Sequence, residues 1–258
     1  SNRITNYKKF NVYRYVATAV KGYVKTRLKI NKPLVVSNKY AKGYIDAMVI
    51  EREAKMLKLS ICEYLESKNT DVRKIGRRDR IINKIIEYFP NNKVSILEIG
   101  TGTGMYLEKL LNSNVLSYEI YEVNNGWKQY LKRNYDNRIV HIIDADGISL
   151  KQTNNESINV VHAHAVFVYL PIVHTMQYFK EAARVLCKGG LFIFDVINDT
   201  DLQVKDALNW HRLGYDFAVV IPHSFITDFC LNYNLEIRST FKEIYAGSTS
   251  TYYILIKT

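Results

Sequence analysis

Hydrophobic positions along the chain change period near residue 94. Before it the spacing is helical. Across residues 7–29, Phe10, Tyr13, Val16, Ala17, Val20 and Val24 fall on one side and Lys8, Arg14, Lys21 and Lys25 on the other, which predicts an amphipathic helix with Lys9 and Arg27 intruding on its apolar side. Pro33 ends that helix or opens a turn. A second helix is predicted over residues 44–67, with Ile45, Val49, Met56, Leu57, Ile61 and Leu65 on or near one face. A third, over residues 75–89, places Ile81, Ile82, Ile85 and Ile86 before Pro90, and its Arg77, Arg78 and Arg80 read as a solvated face.

From Val94 onward short apolar runs alternate with helical segments, the pattern of an α/β fold whose mostly parallel sheet is covered on both faces. Strands are predicted from Val94 and over residues 115–121, 138–143, 158–162 and 191–196. Helices are predicted over residues 105–111, 127–133 and 172–186, the last stopped by Lys188-Gly189-Gly190. The tail reads as a helix over 224–232, then strands over 235–245 and 251–256 about a turn at Gly247, an antiparallel carboxyl-terminal hairpin. The organisation expected is a basic, helical amino-terminal arm and cap over residues 1–72, followed by one ligand-binding domain over 73–258.

Charge sharpens that division. The formal net charge is +11, and residues 1–45 hold eleven basic residues before the first acid, Asp46, so the whole excess lies in the arm. Such a helix fits an anionic membrane surface, nucleic-acid phosphates with tyrosines for stacking, an acidic partner or glycan, or simple packing with solvated lysines. No window approaches the roughly 18 uninterrupted apolar residues of a membrane span, and the start lacks a signal-peptide core, so a cytoplasmic protein, in contact with a membrane surface if the arm binds one, is expected. Cys62, Cys187 and Cys230 are odd in number and lack metal-type spacing, which fits a reducing compartment and predicts no metal site.

One stretch carries the candidate chemistry: Glu98-Ile99-Gly100-Thr101-Gly102-Thr103-Gly104, between the first strand and a helix. Alternating glycines leave little bulk where the chain leaves a buried strand, so backbone N–H groups can approach a ligand closely. A nicotinamide dinucleotide site also uses glycines followed by an acid, but its spacing is G-x-G-x-x-G, and here the third glycine comes one residue early.

Together with three downstream features this stretch resembles the class I S-adenosylmethionine-dependent methyltransferases. Glu98-x-Gly100-x-Gly102-x-Gly104 is similar to that family's first motif, Glu122 to the acid that accepts the ribose hydroxyls, Asp144-Ala145 to the adenine-contacting position, and residues 182–190 to the helix and turn before the fifth strand. The resemblance covers roughly residues 90–258. It implies a Rossmann-like, seven-stranded sheet with a helical cap, S-adenosylmethionine as cofactor with S-adenosylhomocysteine as product, and a cofactor site of Glu98, Gly100, Thr101, Gly102, Gly104, Glu122, Asp144, Ala145 and His162. A carboxylate at a strand's carboxyl end is suited to a ribose diol.

In the family the end of the fourth strand faces the reacting centre, and here it reads His162-Ala163-His164-Ala165. His164 or His162 is the expected base, because an imidazole titrates near neutrality. The chain has no Pro-Pro, which the family's base-amine enzymes carry after this strand, and Cys187 is misplaced for a 5-methylcytosine nucleophile. Nucleic acid is therefore less expected as substrate. The reading is methyl transfer to a small-molecule or sugar hydroxyl, on a lipid-linked or surface glycan if the arm contacts a membrane. The alternatives are an RNA methyltransferase gripping phosphates with the arm and a non-catalytic binding protein on the same scaffold.

Overall fold

In the computed structural model the described residues are 46–69, 73–213 and 218–258. The basic helix predicted over residues 7–29 lies outside them. The described residues form a seven-stranded sheet of β1 (Val94–Ile99), β2 (Val115–Glu122), β3 (Val140–Asp144), β4 (Ile158–Ala163), β5 (Leu186–Val196), β6 (Leu235–Tyr245) and β7 (Ser248–Lys257). Their order is β3-β2-β1-β4-β5-β7-β6. The first five strands are parallel, while β7 runs antiparallel to both β5 and β6. This is the predicted Rossmann-like sheet with its terminal hairpin.

Each face of the sheet has its own core because successive side chains alternate. One face carries Leu97, Ile99, Val161, Phe192 and Phe194, packed under α6 (Ile172–Val185) and α8 (His223–Asn232) through Phe179, Ala182, Ile226 and Phe229. The other carries Ile96, Ile120, Val160, Ile193 and Ile254 beneath α3 (Arg77–Ile86), α4 (Met105–Leu110) and α5 (Asn125–Asn134). Burial of both faces explains the near-continuous apolar runs of β1, β4 and β5.

The helical segment before the sheet is divided. Helices α1 (Ala47–Met56) and α2 (Ile61–Ser67) replace the single helix predicted over residues 44–67. Lys58 adopts a left-handed conformation, φ 55°, and Ser60 starts α2 with a reciprocal capping box: its hydroxyl accepts the Glu63 N–H while Glu63 accepts its own N–H. Met56 and Leu57, expected on the buried face, are 76% and 56% exposed at the break. What is buried instead is Ala47, Ile50, Ala54, Ile61 and Tyr64, grouped with Trp127 of α5.

Two further features differ from the predicted pattern. Strand β5 begins at Leu186, so Lys188-Gly189-Gly190 does not separate helix from strand; it forms an irregularity inside β5, where the pairing jumps from Ile158↔Leu186 to Val160↔Leu191. Helix α7 (Val204–Leu213) has no counterpart in the sequence reading. Trp210 anchors it beside Val168 and Ile197 and donates its indole N–H to the Ala246 carbonyl, tying α7 to the β6–β7 turn. Among the described residues no helix is long and apolar enough to cross a membrane.

Candidate functional site

The glycine turn leaves β1 in a conformation that few other residues tolerate. Gly100, Gly102 and Gly104 all have positive φ, at 70°, 55° and 82°. Their surroundings differ. A Cβ on Gly100 would stand 2.7 Å from Val166 Cγ2, whereas nothing lies within 4 Å of a Cβ on Gly102. The turn is thus pinned on one side and open on the other, and the open side is a cradle that any side chain would fill. Gly104 begins α4 without a side-chain cap.

Glu122 closes the turn from β2. Its carboxylate accepts the Gly102 N–H at 2.7 Å and the Asn124 N–H at 2.6 Å, and it is fully shielded from solvent. Burial pushes its pKa up, while the N–H groups of Asn124, Gly102 and Val123 pull it back. Each oxygen has spent one lone pair, so acceptor capacity remains for a diol that displaces the present cover. Asp144, the register partner of Glu122 at the end of β3, is exposed, and Lys128 at 3.0 Å holds its pKa low. Asp146 is spent on its own turn, accepting the N–H groups of Ile148 and Ser149. Ala145 packs against the core. The acids expected from the sequence therefore stand together at the carboxyl ends of β2 and β3.

On the α3–α4–α5 side, the sheet face carries a diagonal polar stripe. It starts under the turn. Glu98, 1% exposed, lies in register with His162, and the Tyr118 hydroxyl joins them at 2.8 Å from Glu98 Oε2 and 2.8 Å from His162 Nε2. Burial pushes the Glu98 carboxyl up to about 8, and the Tyr118 hydroxyl and Thr101 oppose this. The stripe continues through His164, whose ring stacks on Tyr106 at 3.5 Å between centroids and whose Nδ1 is 3.2 Å from the Tyr252 hydroxyl. It ends at Asp195, in register with Tyr252, and at Ser250, in register with Glu243.

Asp195 is fully buried and fixes the end of β4. Its Oδ1 accepts the N–H of Ala165 at 2.6 Å, and Ala165 is a non-glycine residue at φ 54°. Its Oδ2 has no hydrogen-bond partner and lies 3.9 Å from Nη2 of Arg77, the first residue of α3. Desolvation and the neighbouring His162 and Arg77 drive the His164 pKa well below its ordinary value, and burial lowers His162 to about 3. This corrects the expectation that either imidazole titrates near neutrality: both are held neutral. His162 Nδ1 and His164 Nε2 remain unpartnered. The expectation of a solvated arginine face is also corrected: Arg78 is buried and 2.9 Å from Glu66, and Arg77 is one-fifth exposed beside Asp195, an acid that with its tyrosine neighbours was missed. The signal for Asp195 was a single acid inside the apolar run Leu191-Phe192-Ile193-Phe194.

Comparison with known proteins agrees with this geometry. A family model described as a methyltransferase domain matches residues 97–194. No curated protein matches the chain. Magnesium protoporphyrin IX methyltransferase from Synechocystis PCC 6803 superposes with a TM-score of 0.57 at 9% identity, over 83% of this chain and 100% of that one. The N-methyltransferase NodS from Bradyrhizobium japonicum WM9 gives 0.54 at 14% identity, over 83% and 99%. Geranyl diphosphate C-methyltransferase from Streptomyces coelicolor A3(2) gives 0.54 at 9%, over 69% and 77%. At these identities the structures establish the fold alone. The matched segment runs from β1 through the glycine turn to β5, so it is over the sheet and the turn that the chain is similar to methyltransferase domains.

Proposed function

We propose that the domain methylates a hydroxyl of a small polar acceptor held at the carboxyl ends of β4 and β5. S-adenosylmethionine supplies a methyl group already activated by its sulfonium, so the protein's task is chiefly alignment. In this reading the open side of Gly102 and the adjoining backbone receive the cofactor, Glu122 takes the ribose, and Asp144 with Ala145 stands at the adenine. The observation that carries the acceptor assignment is His164: its ring lies between Tyr106 and Tyr252, and its Nε2 is buried without a partner, the same burial that favours the neutral ring. A neutral imidazole accepts a hydroxyl hydrogen without first losing a proton. Its depressed pKa makes it a weak base, so the role proposed is orientation of the attacking oxygen. The new oxygen–methyl bond forms as the sulfur–methyl bond breaks with its electron pair left on sulfur, and the hydroxyl proton is lost to solvent without His164 becoming charged. The enclosure of this group favours a small acceptor over an RNA base.

His164→Ala is expected to slow turnover by roughly 10²-fold through loss of alignment, with affinity for S-adenosylhomocysteine unchanged. Single-turnover methylation and calorimetry check the two halves. Unaltered turnover would remove His164 from the site.

A further inference from the structure

Lys128 sits where a cation is disfavoured. It ends the first turn of α5, a helix with no acid in that turn, so its ammonium group faces the positive end of the helix dipole. Nor is it turned out to solvent: its side chain is only 16% exposed, against 72% for that of Asp144. Strand β3 brings Asp144 to it, and Nζ stands 3.0 Å from Asp144 Oδ1. Glu122 is the register partner of Asp144. Burial raises the Glu122 carboxyl, and Lys128 is among the groups that oppose the rise. One cation thus lies in the field of both acids that end β2 and β3.

Stability does not account for the pair. An ion pair with an exposed carboxylate contributes little, because solvent screens it and ordering the side chains costs entropy. What the contact supplies is direction. A carboxylate carries two acceptor oxygens, and an exposed aspartate is otherwise free to exchange rotamers. Lys128 holds one oxygen, and the Asp144 backbone carbonyl accepts from the Gln152 side chain at 2.8 Å. Among the described residues Oδ2 is left without a partner. The hydrogen bond and charge of Lys128, with the charge of Lys132 added, also hold the Asp144 pKa below its ordinary value, so the group stays ionised.

We propose that Lys128 is a positioning residue for the cofactor site: by holding Asp144 Oδ1 it aims Oδ2 at the exocyclic amine of the cofactor's adenine, and so sets a preference for adenine over a purine that lacks that amine. Lys128 acts through Asp144. An amine donates and matches a carboxylate oxygen, whereas hypoxanthine presents a carbonyl oxygen at the same position, and two acceptors repel. The inference rests on the reading above that Asp144 stands at the adenine.

The test compares S-adenosylhomocysteine with S-inosylhomocysteine by calorimetry on the full chain. The unaltered chain is expected to prefer the adenine compound roughly tenfold or more. Lys128→Met should remove most of that preference by weakening S-adenosylhomocysteine, while the melting temperature, which reports folding, stays nearly unchanged. Lys128→Arg keeps a donor to Oδ1 and should retain the preference. In an Asp144→Ala background Lys128→Met should change it no further, because the route through Asp144 is gone. The proposal is overturned if Lys128→Met leaves the preference intact, if it enlarges the preference, which would make the lysine a competitor of the adenine for Asp144, or if its effect persists without Asp144. Failure of the underlying reading looks different: the unaltered chain then binds neither compound, or binds both alike with Asp144→Ala altering nothing, and the role of Lys128 falls with it.

Discussion

At the scale of single residues, Gly100 and Gly102 make different demands that one substitution separates. Gly102→Ala places a methyl group in open space, so its stability cost is limited to the left-handed backbone, about 1–2 kcal/mol. Gly100→Ala adds a contact with Val166 to the same strain, a further 1–3 kcal/mol or so of overpacking. Gly102→Ala is therefore expected to melt only slightly early yet lose S-adenosylmethionine binding at least tenfold, because the methyl fills the cradle. Gly100→Ala should be dominated by destabilisation. Thermal unfolding paired with calorimetry distinguishes them, and intact cofactor binding in Gly102→Ala would place the cofactor elsewhere. The glycines and Glu122 were legible in the sequence because strand, turn and acid follow one another locally. Arg77 and Asp195 were not. The two lie 118 residues apart, and nothing in the spacing of three arginines on a helix marks Arg77 and Arg78 as the ones that turn inward while Arg80 stays more exposed.

At the scale of elements, the sheet was readable because its strands are buried on both faces and stand out as apolar runs. The break between α1 and α2 was also written in the sequence, as Ser60-x-x-Glu63, but a continuous apolar periodicity through Met56 and Leu57 obscured it. Helix α7 escaped because it joins the core chiefly by Trp210, leaving Val204 and Leu208 79% and 67% exposed, so it shows no apolar face. The capping box carries a specific consequence. Ser60→Ala is expected to cost about 1 kcal/mol, seen in chemical denaturation as an earlier midpoint. An unshifted midpoint would mean that α2 does not unfold with the domain.

At the scale of the whole molecule, buried ionisable groups set an unusual pH dependence. Glu98, pushed up to about 8, keeps in the folded chain a proton that the unfolded chain has released, so rising pH favours unfolding through the window between its ordinary value and 8. His162 and His164 have the opposite effect below their ordinary value of 6.5, where unfolded imidazoles become charged and the folded ones do not. Above that value the histidines are neutral in both states, which leaves the carboxyl groups. Thermal stability is therefore expected to fall from about pH 6.5 to 8. Glu98→Gln should flatten that decline without abolishing it, since Glu122 and Asp195 are also raised by burial. An identical slope in Glu98→Gln would show that Glu98 is ionised in the folded protein.

The short segment from His164 to Val166 lies between the glycine turn and Asp195. Val166 abuts Gly100 of the glycine turn, and the Ala165 N–H is held by Asp195. A ligand that draws on Asp195 loads this segment, and a ligand seated on the turn loads it from the other side. With the cofactor on the turn and the acceptor beside Asp195, occupancy of one is expected to bias the other, and the free energy of such a coupling is the same in both directions. An acceptor that binds more tightly once S-adenosylhomocysteine is present must tighten S-adenosylhomocysteine by the same factor. Replacing Val166 with alanine should uncouple the pair, so that each ligand binds as though the other were absent.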